Sequence, residues 1–201
     1  MREVLGVRGG EAADESVRRT FLRDLRRRGL KEVRLFVGAM DELLVRDVTA
    51  EFPAVRLQVC IAQLERAVLA LVPGPELHAA SLALAALRLS PDAGVSAEKI
   101  RQMQERLDRT NLAEASALLG RMLPHAFSYR PFPRSQWSQI STTDAIRRAV
   151  KPMRERIRQI GPVEDIHALV LLAAAHLRHV SRTVWGQRRY LRPKPRGKAG
   201  E

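Results

Sequence analysis

The chain has 201 residues, enough for one substantial domain, and its 35 basic against 22 acidic residues give a formal net charge of +13 that favours an anionic polymer as partner. It contains one cysteine, which excludes an internal disulfide and predicts a reducing, cytoplasmic compartment. The N-terminus lacks the apolar run of a signal peptide and the longest apolar stretch, at residues 168–175, is too short to span a bilayer, so we expect no membrane partner.

The N-terminal part of the chain predicts alternating strands and helices. Short runs with β-branched or alternating apolar residues indicate strands at 3–7, 33–37 and 55–60. Helical patterns with one apolar face separate them, at 15–28 and 42–52. The order β-α-β-α-β predicts a parallel sheet with right-handed crossovers.

From residue 61 onward the pattern is helical. Ala- and Leu-rich segments, broken by Pro and Gly, predict helices at 61–71, 76–89, 97–108 and 112–123. A proline-containing loop at 125–136 follows, and an apolar helix is predicted from 163 to about 178. The residues from 186 to 201 are rich in Arg, Lys, Pro and Gly, and we expect them to be disordered.

The helix predicted to begin near Thr142 has one apolar and one basic face. Its basic side chains are the candidate DNA-binding residues, namely Arg147, Arg148, Lys151, Arg154 and Arg158. Pro152 removes an amide and crowds the preceding turn, so we expect a kink or a break there.

Several short blocks follow one another in a fixed order. They are REVLG at 2–6, ES at 15–16, FLRDLRRRGL at 21–30, VRLFV at 33–37, FP at 52–53, QVCIAQLER at 58–66, TTDAIRR at 142–148 and RRYL at 188–191. In order and spacing these blocks resemble the bacterial mutator-type transposases, in which a strand ending in a catalytic Asp is followed by FP and by a QxCxxHxxRN segment. The resemblance covers nearly the whole chain.

The resemblance implies a ribonuclease H-type fold and phosphodiester cleavage and strand transfer with two magnesium ions about 4 Å apart. Carried over residue by residue, the strand-end Asp falls on Ala39, the helix Glu on Arg147 and the His on Gln63, while Cys60 and Arg66 remain. Magnesium needs oxygen ligands, chiefly carboxylates. We therefore predict no catalytic residues, no metal site and no cofactor.

One alternative source of acidic metal ligands remains on the sequence. Asp41 and Glu42 could supply a carboxylate if the register slipped, although Asp41 is better interpreted as the N-cap of the helix beginning at Glu42. We predict no metal site at His167, His176 and His179, and we expect Cys60 to be a small buried side chain. Trp137 and Trp185 are predicted to be packing anchors, because aromatic residues do not interleave with the basic runs.

These observations predict an α/β fold of partial ribonuclease H-like type. Residues 1–60 form the partial core, 61–137 a helical insertion, 138–183 the helices that complete the core, and 184–201 a basic disordered tail. In the resembling family the first catalytic Asp and two further strands precede REVLG, so we expect a truncated, degenerate copy. The central strand would then be missing, which leaves an open sheet edge that a partner chain could fill.

Three functional hypotheses follow. The first is an inactive remnant of a transposase that retains nonspecific DNA binding. The second is a working transposase subunit whose acids come from another chain. The third is a repurposed DNA-binding or assembly protein that interferes with a full-length transposase by joining its oligomer. The expected partners are DNA, a second copy of the chain or a full-length transposase.

Overall fold

The computed structural model describes residues 2–10, 15–39, 41–89, 92–161 and 165–187. Its contacts divide the chain into two compact units. The first unit comprises Met1–Val33, Glu42–Val55 and Asp144–Glu201, and the second unit comprises Arg34–Asp41 and Arg56–Thr143. The predicted division at residues 60, 137 and 183 stays a prediction.

Helices dominate the described residues, with two short strands among them, which confirms the α/β class. The strands are β1 (Leu35–Gly38) and β2 (Arg56–Val59). The helices are α1 (Glu15–Arg27), α2 (Glu42–Glu51), α3 (Ile61–Leu69), α4 (Gly74–Leu89), α5 (Ala93–Arg109), α6 (Ala113–Met122), α7 (Trp137–Ile140), α8 (Asp144–Ile160), α9 (Ile166–Arg182) and α10 (Val184–Gln187). Two 3-10 turns lie at Leu123–His125 and Arg134–Gln136.

The second unit contains the sheet. Strands β1 and β2 pair in parallel, with Leu35 opposite Arg56 and Gly38 opposite Val59. Parallel strands need a long crossover, and the chain between them contains α2. The chain passes from β2 into α3 through Cys60 alone, and this helix buries Ile61 and further apolar side chains at helical spacing.

Helices α3 to α6 form the rest of the second unit. Pairwise contacts join α3 to α4, α4 to α5, α5 to α6 and α3 to α6. The apolar side chains between them include Leu84, Ile100, Leu107 and Leu119, all nearly inaccessible to solvent. The Asp92 side chain caps α5 by accepting a hydrogen bond of 2.7 Å from the Gly94 amide, which satisfies one of the unpaired donors at that helix end.

In the first unit, α1 packs against α2 and α8 packs against α9. Asp47 on α2 is nearly fully buried and binds Arg18 and Arg19 of α1. The short helix α10 follows α9 directly. At Gly186 an added Cβ would overlap the backbone oxygen of Ser181, so only glycine fits at this turn.

The strand predicted at residues 3–7 is wrong, because residues 2–10 have no regular secondary structure. A strand needs a partner for its amides and carbonyls, and no strand of the described residues lies beside this segment. Instead the Arg2 amide donates to the Gly186 carbonyl at 3.0 Å, and Gly9 approaches Val170 so closely that an added Cβ would lie 2.5 Å from it. The predicted β-α-β-α-β order therefore reduces to β1-α2-β2 within the described residues.

Two further expectations need correction. A break at Pro152 is wrong, because α8 continues through it from Asp144 to Ile160. The proline deprives the Arg148 carbonyl of its usual amide partner, but both residues are exposed, so water can satisfy that oxygen. Residues 184–187 were assigned to the tail and instead form α10, while residues 188–201 lie outside the described residues.

The described helices include no candidate for a membrane span. None of them combines the length and the apolar character needed to cross a bilayer.

Candidate nucleic-acid interface

Helix α8 carries all five candidate DNA-binding residues. Asp144 stands in its first turn, where a carboxylate interacts favourably with the free amides of the helix end. The apolar side of the helix includes Ala149, which is buried, and the Ala149 carbonyl lies 2.9 Å from Nε2 of His176 on α9. This contact within the first unit gives His176 a structural partner.

The basic side chains of α8 project from one side of the helix. At about 100° per residue, Arg147, Lys151, Arg154 and Arg158 fall within about 60° of one another. Arg148 lies about 100° from Arg147, and all five are exposed. The structure thus brings together four of the five predicted residues on one face, which we call the α8 basic face, and places Arg148 beside it.

Two acids partly neutralise the α8 basic face. Arg147 Nε lies 3.2 Å from the Asp144 carboxylate, and Lys151 Nζ lies 3.7 Å from that of Glu155. Exposed pairs of this kind contribute well below about 1 kcal/mol, so a phosphate can replace the carboxylate readily. Arg154 and Arg158 have no carboxylate within salt-bridge distance in the described parts of the chain.

The end of β1 opens on an apolar cavity in the second unit. Ala39 follows β1 directly and lines a cavity of about 90 Å³. The other lining residues are Val59, Gln63, Leu64, Ala67, Leu118 and Met122. Oε1 of Gln63 is buried without a hydrogen-bond partner. The position that corresponds to the strand-end Asp therefore offers no carboxylate, and the cavity that it lines is largely apolar.

Cys60 connects the ends of the strands to the segment before α8. It is buried, as predicted, and its amide donates to the Gly38 carbonyl at 2.7 Å. Its sulfur accepts hydrogen bonds from the Thr143 amide at 3.2 Å and from the Thr143 hydroxyl at 3.3 Å. The Ile61 amide donates to the Ser141 carbonyl at 3.0 Å. Cys60 thus has a structural role, and the sulfur contributes as an acceptor as well as by packing.

Neither position that corresponds to a catalytic acid carries a carboxylate, the ligand that magnesium prefers. Ala39 has no side-chain ligand atom, and Arg147 is a cation. Among the residues that the structure describes, no three His, Cys, Asp or Glu side chains are grouped so as to hold a metal ion.

Both tryptophans pack within their units. The Trp137 ring meets Tyr129 edge to face at 5.5 Å, and its Nε1 donates to the Phe132 carbonyl at 2.7 Å. The Arg2 guanidinium lies 4.7 Å from the centre of the Trp185 ring. The expectation that aromatic and basic residues do not interleave is wrong for residues 127–137, where they alternate in FSYRPFPRSQW. Counting aromatic and basic residues over this short segment, instead of over the whole chain, would have detected the alternation.

Comparison with known proteins gives one consistent result. The family described as "Transposase, Mutator family" matches residues 1–181. Two similar proteins are each named "Transposase for insertion sequence element IS1081", one from Mycobacterium tuberculosis (strain ATCC 25618 / H37Rv) and one from Mycobacterium bovis (strain ATCC BAA-935 / AF2122/97). Each is 27% identical over 177 residues, which are 88% of this chain and 42% of the relative. The chain therefore spans less than half the length of these curated relatives.

Proposed function

Because the chain belongs to the Mutator family of transposases, we propose that it is a transposase-like protein that binds DNA without sequence preference and does not itself cleave it. The observation that carries the proposal is the exposed Arg147 on the α8 basic face, at the position where the family's pattern has a catalytic Glu. One residue thereby supports both halves of the proposal.

The loss of cleavage follows from ligand chemistry. The family's transposition chemistry needs divalent ions held by carboxylates. The two corresponding positions are Ala39, which lines an apolar cavity, and Arg147, which is cationic. Loss of one ligand weakens a metal site, whereas a cation in place of another ligand repels the ions as well. We therefore assign no catalytic residue and no metal cofactor to these positions.

Retained DNA binding follows from charge. The formal net charge is +13, and α8 presents Arg147, Lys151, Arg154 and Arg158 on one exposed face. Side chains of this type bind backbone phosphates, which are the same for every base sequence. Binding should therefore depend strongly on salt and only slightly on sequence.

We further propose that β1, α2 and β2 are part of a ribonuclease H-like core. The support is the parallel β1-β2 pair with a helix in the connection, combined with the family match over residues 1–181. Helices α3 to α6 would then be the helical insertion that the family resemblance implies. A homo-oligomer would be one way to cover sheet edges that remain unpaired.

The test of DNA binding compares two sets of variants by fluorescence anisotropy with a labelled duplex. Engagement of about four phosphates predicts a slope of log affinity against log salt of about −3.6, at about 0.9 per contact. Replacing the four residues of the α8 basic face by Gln should reduce the magnitude of the slope by about 3.6, at about 0.9 per contact. The matched control replaces four exposed basic residues of α5 by Gln, namely Lys99, Arg101, Arg106 and Arg109.

The control removes the same formal charge from a helix on which Arg101 and Arg106 are already paired with Glu side chains. It should therefore change the slope much less than the α8 variant. Deletion of residues 188–201 tests the basic tail separately. If only that deletion flattens the slope, the α8 basic face is a solvated helix surface and the DNA-binding proposal for α8 is wrong.

The test of inactivity incubates the protein with end-labelled DNA in magnesium or manganese. Neither nicked nor joined products should appear, because Ala39 and Arg147 cannot hold the ions. Metal-dependent cleavage that disappears in the Asp41→Asn variant would refute the proposal and favour the slipped register.

A repurposed DNA-binding or oligomer-interfering protein is the second candidate. The observation that favours it is a set of exposed apolar side chains in the first unit, namely Ile146, Ile160, Ile166, Leu171 and Val184. Exposed apolar surface often marks a protein interface. A full-length family member mixed with this chain should then lose transposition activity and co-elute with it. Unchanged activity and separate elution would rule this candidate out.

A further inference from the structure

A second cationic surface lies in the second unit, around the segment from Phe127 to Trp137. Arg34 lies 5.2 Å from the centre of the Phe132 ring, and Arg134 lies 5.4 Å from that of Trp137. Both arginines are exposed, whereas both rings are half-buried. We call Arg34, Arg134 and the two rings beneath them the arginine–aromatic surface.

The rings are held in place by hydrogen bonds. Trp137 Nε1 donates to the Phe132 backbone carbonyl, which fixes the Trp137 ring beside Phe132. The buried Gln58 side chain accepts from the Tyr129 amide at 3.0 Å and donates to the Ala126 carbonyl at 3.1 Å, which fixes the start of the segment to β2. The arginines therefore rest on a preorganised base, and less of their side-chain entropy is lost on binding.

A third arginine supports the segment from inside. Arg130 lies 4.5 Å from the centre of the Phe127 ring and 5.9 Å from that of Trp137. Its Nη2 donates to the Ser96 hydroxyl at 2.8 Å, which ties the segment to α5. Arg130 is thus part of the scaffold, and Arg34 and Arg134 are the groups that face solvent.

The charges of this surface are not neutralised by carboxylates. Within the described residues, neither Arg34 nor Arg134 has an acidic partner. The sequence between Glu114 and Asp144 contains no Asp or Glu. By contrast, Arg106 of α5 binds Glu76 at 2.7 Å. A guanidinium that packs its planar face on a ring keeps its N–H donors for a phosphate.

The surface is separate from the position that corresponds to the catalytic Asp. Arg34 precedes β1 and Ala39 follows it, so their backbones lie about 16 Å apart at about 3.3 Å per residue. Arg56 pairs with Leu35 at the same end of the sheet and is also exposed. Arg34 and Arg56 therefore lie side by side at the amino ends of the parallel strands.

We propose that the arginine–aromatic surface is a second DNA-binding site, at which Arg34 and Arg134 bind backbone phosphates. The occupant is DNA because the surface is cationic and exposed, the segment that carries Arg134 is free of acids from residue 115 to 143, and a polyanion complements it. The proposal rests on the DNA-binding function proposed above, but it places contacts on the second unit, whereas α8 belongs to the first unit.

The test measures duplex binding by anisotropy as a function of salt for the double variant Arg34→Gln, Arg134→Gln. Loss of two phosphate contacts should reduce the magnitude of the salt slope by about 1.8 and weaken binding at about 0.1 M salt roughly 60-fold, about eightfold per contact. The matched control is Arg109→Gln, Arg121→Gln, which removes two exposed arginines of the same unit that do not pack on a ring in the described residues. It should leave the slope within about 0.5 of the parent value.

A second variant separates charge from folding. Arg34→Lys, Arg134→Lys keeps both charges and should keep the salt slope, with weaker binding because the planar contact to the rings is lost. Loss of the slope in this variant would overturn the phosphate assignment. Far-ultraviolet circular dichroism and thermal unfolding of each variant should match the parent, because both side chains are exposed.

The outcomes for the two proposed DNA surfaces are distinguishable. A normal slope in the Arg34 and Arg134 variant, together with a reduced slope in the α8 variant, overturns the second site alone. The reverse result supports the second site and contradicts the α8 basic face. Reduced slopes in both support both surfaces, and a parent protein without affinity for DNA overturns both.

Discussion

The replacement Asp47→Asn tests whether a buried carboxylate holds α1 against α2. The side chain of Asp47 is only 1% exposed, and its shortest charge-assisted hydrogen bonds come from Arg18 Nε at 2.8 Å and from Arg19 Nε at 2.9 Å, with longer ones from Arg46. The asparagine side chain keeps nearly the same volume but removes the negative charge. The arginines then face a neutral amide that can accept at one oxygen only.

The expected cost is about 2–4 kcal/mol. Breaking a fully buried ion pair costs about 3–5 kcal/mol, and a hydrogen bond to a charged group contributes about 1.5–3 kcal/mol. The Arg18 side chain is 19% exposed and that of Arg19 is 47% exposed, so solvent screens part of this energy, especially at Arg19. For a chain of this length the loss corresponds to a fall in Tm of roughly 4–16 °C.

The assay is thermal unfolding followed by circular dichroism, with Asp24→Asn as the matched control. Asp24 lies on α1 and pairs with Arg28 at 3.5 Å, but both side chains are about half exposed. The control should therefore cost less than about 1 kcal/mol. Equal effects of the two variants would show that burial of Asp47 contributes nothing and would refute the reasoning.

Three further predictions concern buried polar groups. Burial alone raises the pKa of Asp47, but hydrogen bonds from its arginines outweigh burial and lower the pKa overall. The stability that Asp47 contributes should therefore be present above about pH 4 and be lost as the pH falls through the folded pKa. Urea unfolding at several pH values should show that the free energy of unfolding depends less on acid in Asp47→Asn than in the parent. Gln58→Leu removes the side chain that accepts from the Tyr129 amide and donates to the Ala126 carbonyl, so urea unfolding should show a loss of about 2–4 kcal/mol. Gln63→Leu removes an unsatisfied oxygen beside an apolar cavity and should raise Tm by about 2–4 °C in a thermal melt; an unchanged or lower Tm would contradict this reasoning.

The part of the fold that follows from local pattern was predictable. Strands β1 and β2 lie within two residues of their predicted bounds, because β-branched residues and alternation are strong local signals. Helix α2 begins at Glu42, as predicted, and Cys60 is buried. Each of these features depends mainly on neighbours in sequence.

Features that depend on distant partners were not predictable in this way. Residues 3–7 have a strand-like composition, but a strand also needs a neighbouring strand, which composition cannot supply. The proximity of Arg34 to Phe132 likewise joins residues far apart in sequence. Pro152 was expected to kink or break the helix, but α8 continues through it, because its surface position lets water satisfy the carbonyl that it leaves unpaired.

The two halves of the proposed function are linked through Arg147. A carboxylate at this position would hold a cation and repel DNA phosphates, so in an active enzyme the bound metal must offset that repulsion. Arginine reverses both effects, because it repels the metal and attracts the phosphates directly. Since Arg147 lies within about 60° of Lys151, Arg154 and Arg158, it extends an existing cationic face. Under the proposed function, the residue that removes a metal ligand therefore also strengthens the attraction for DNA.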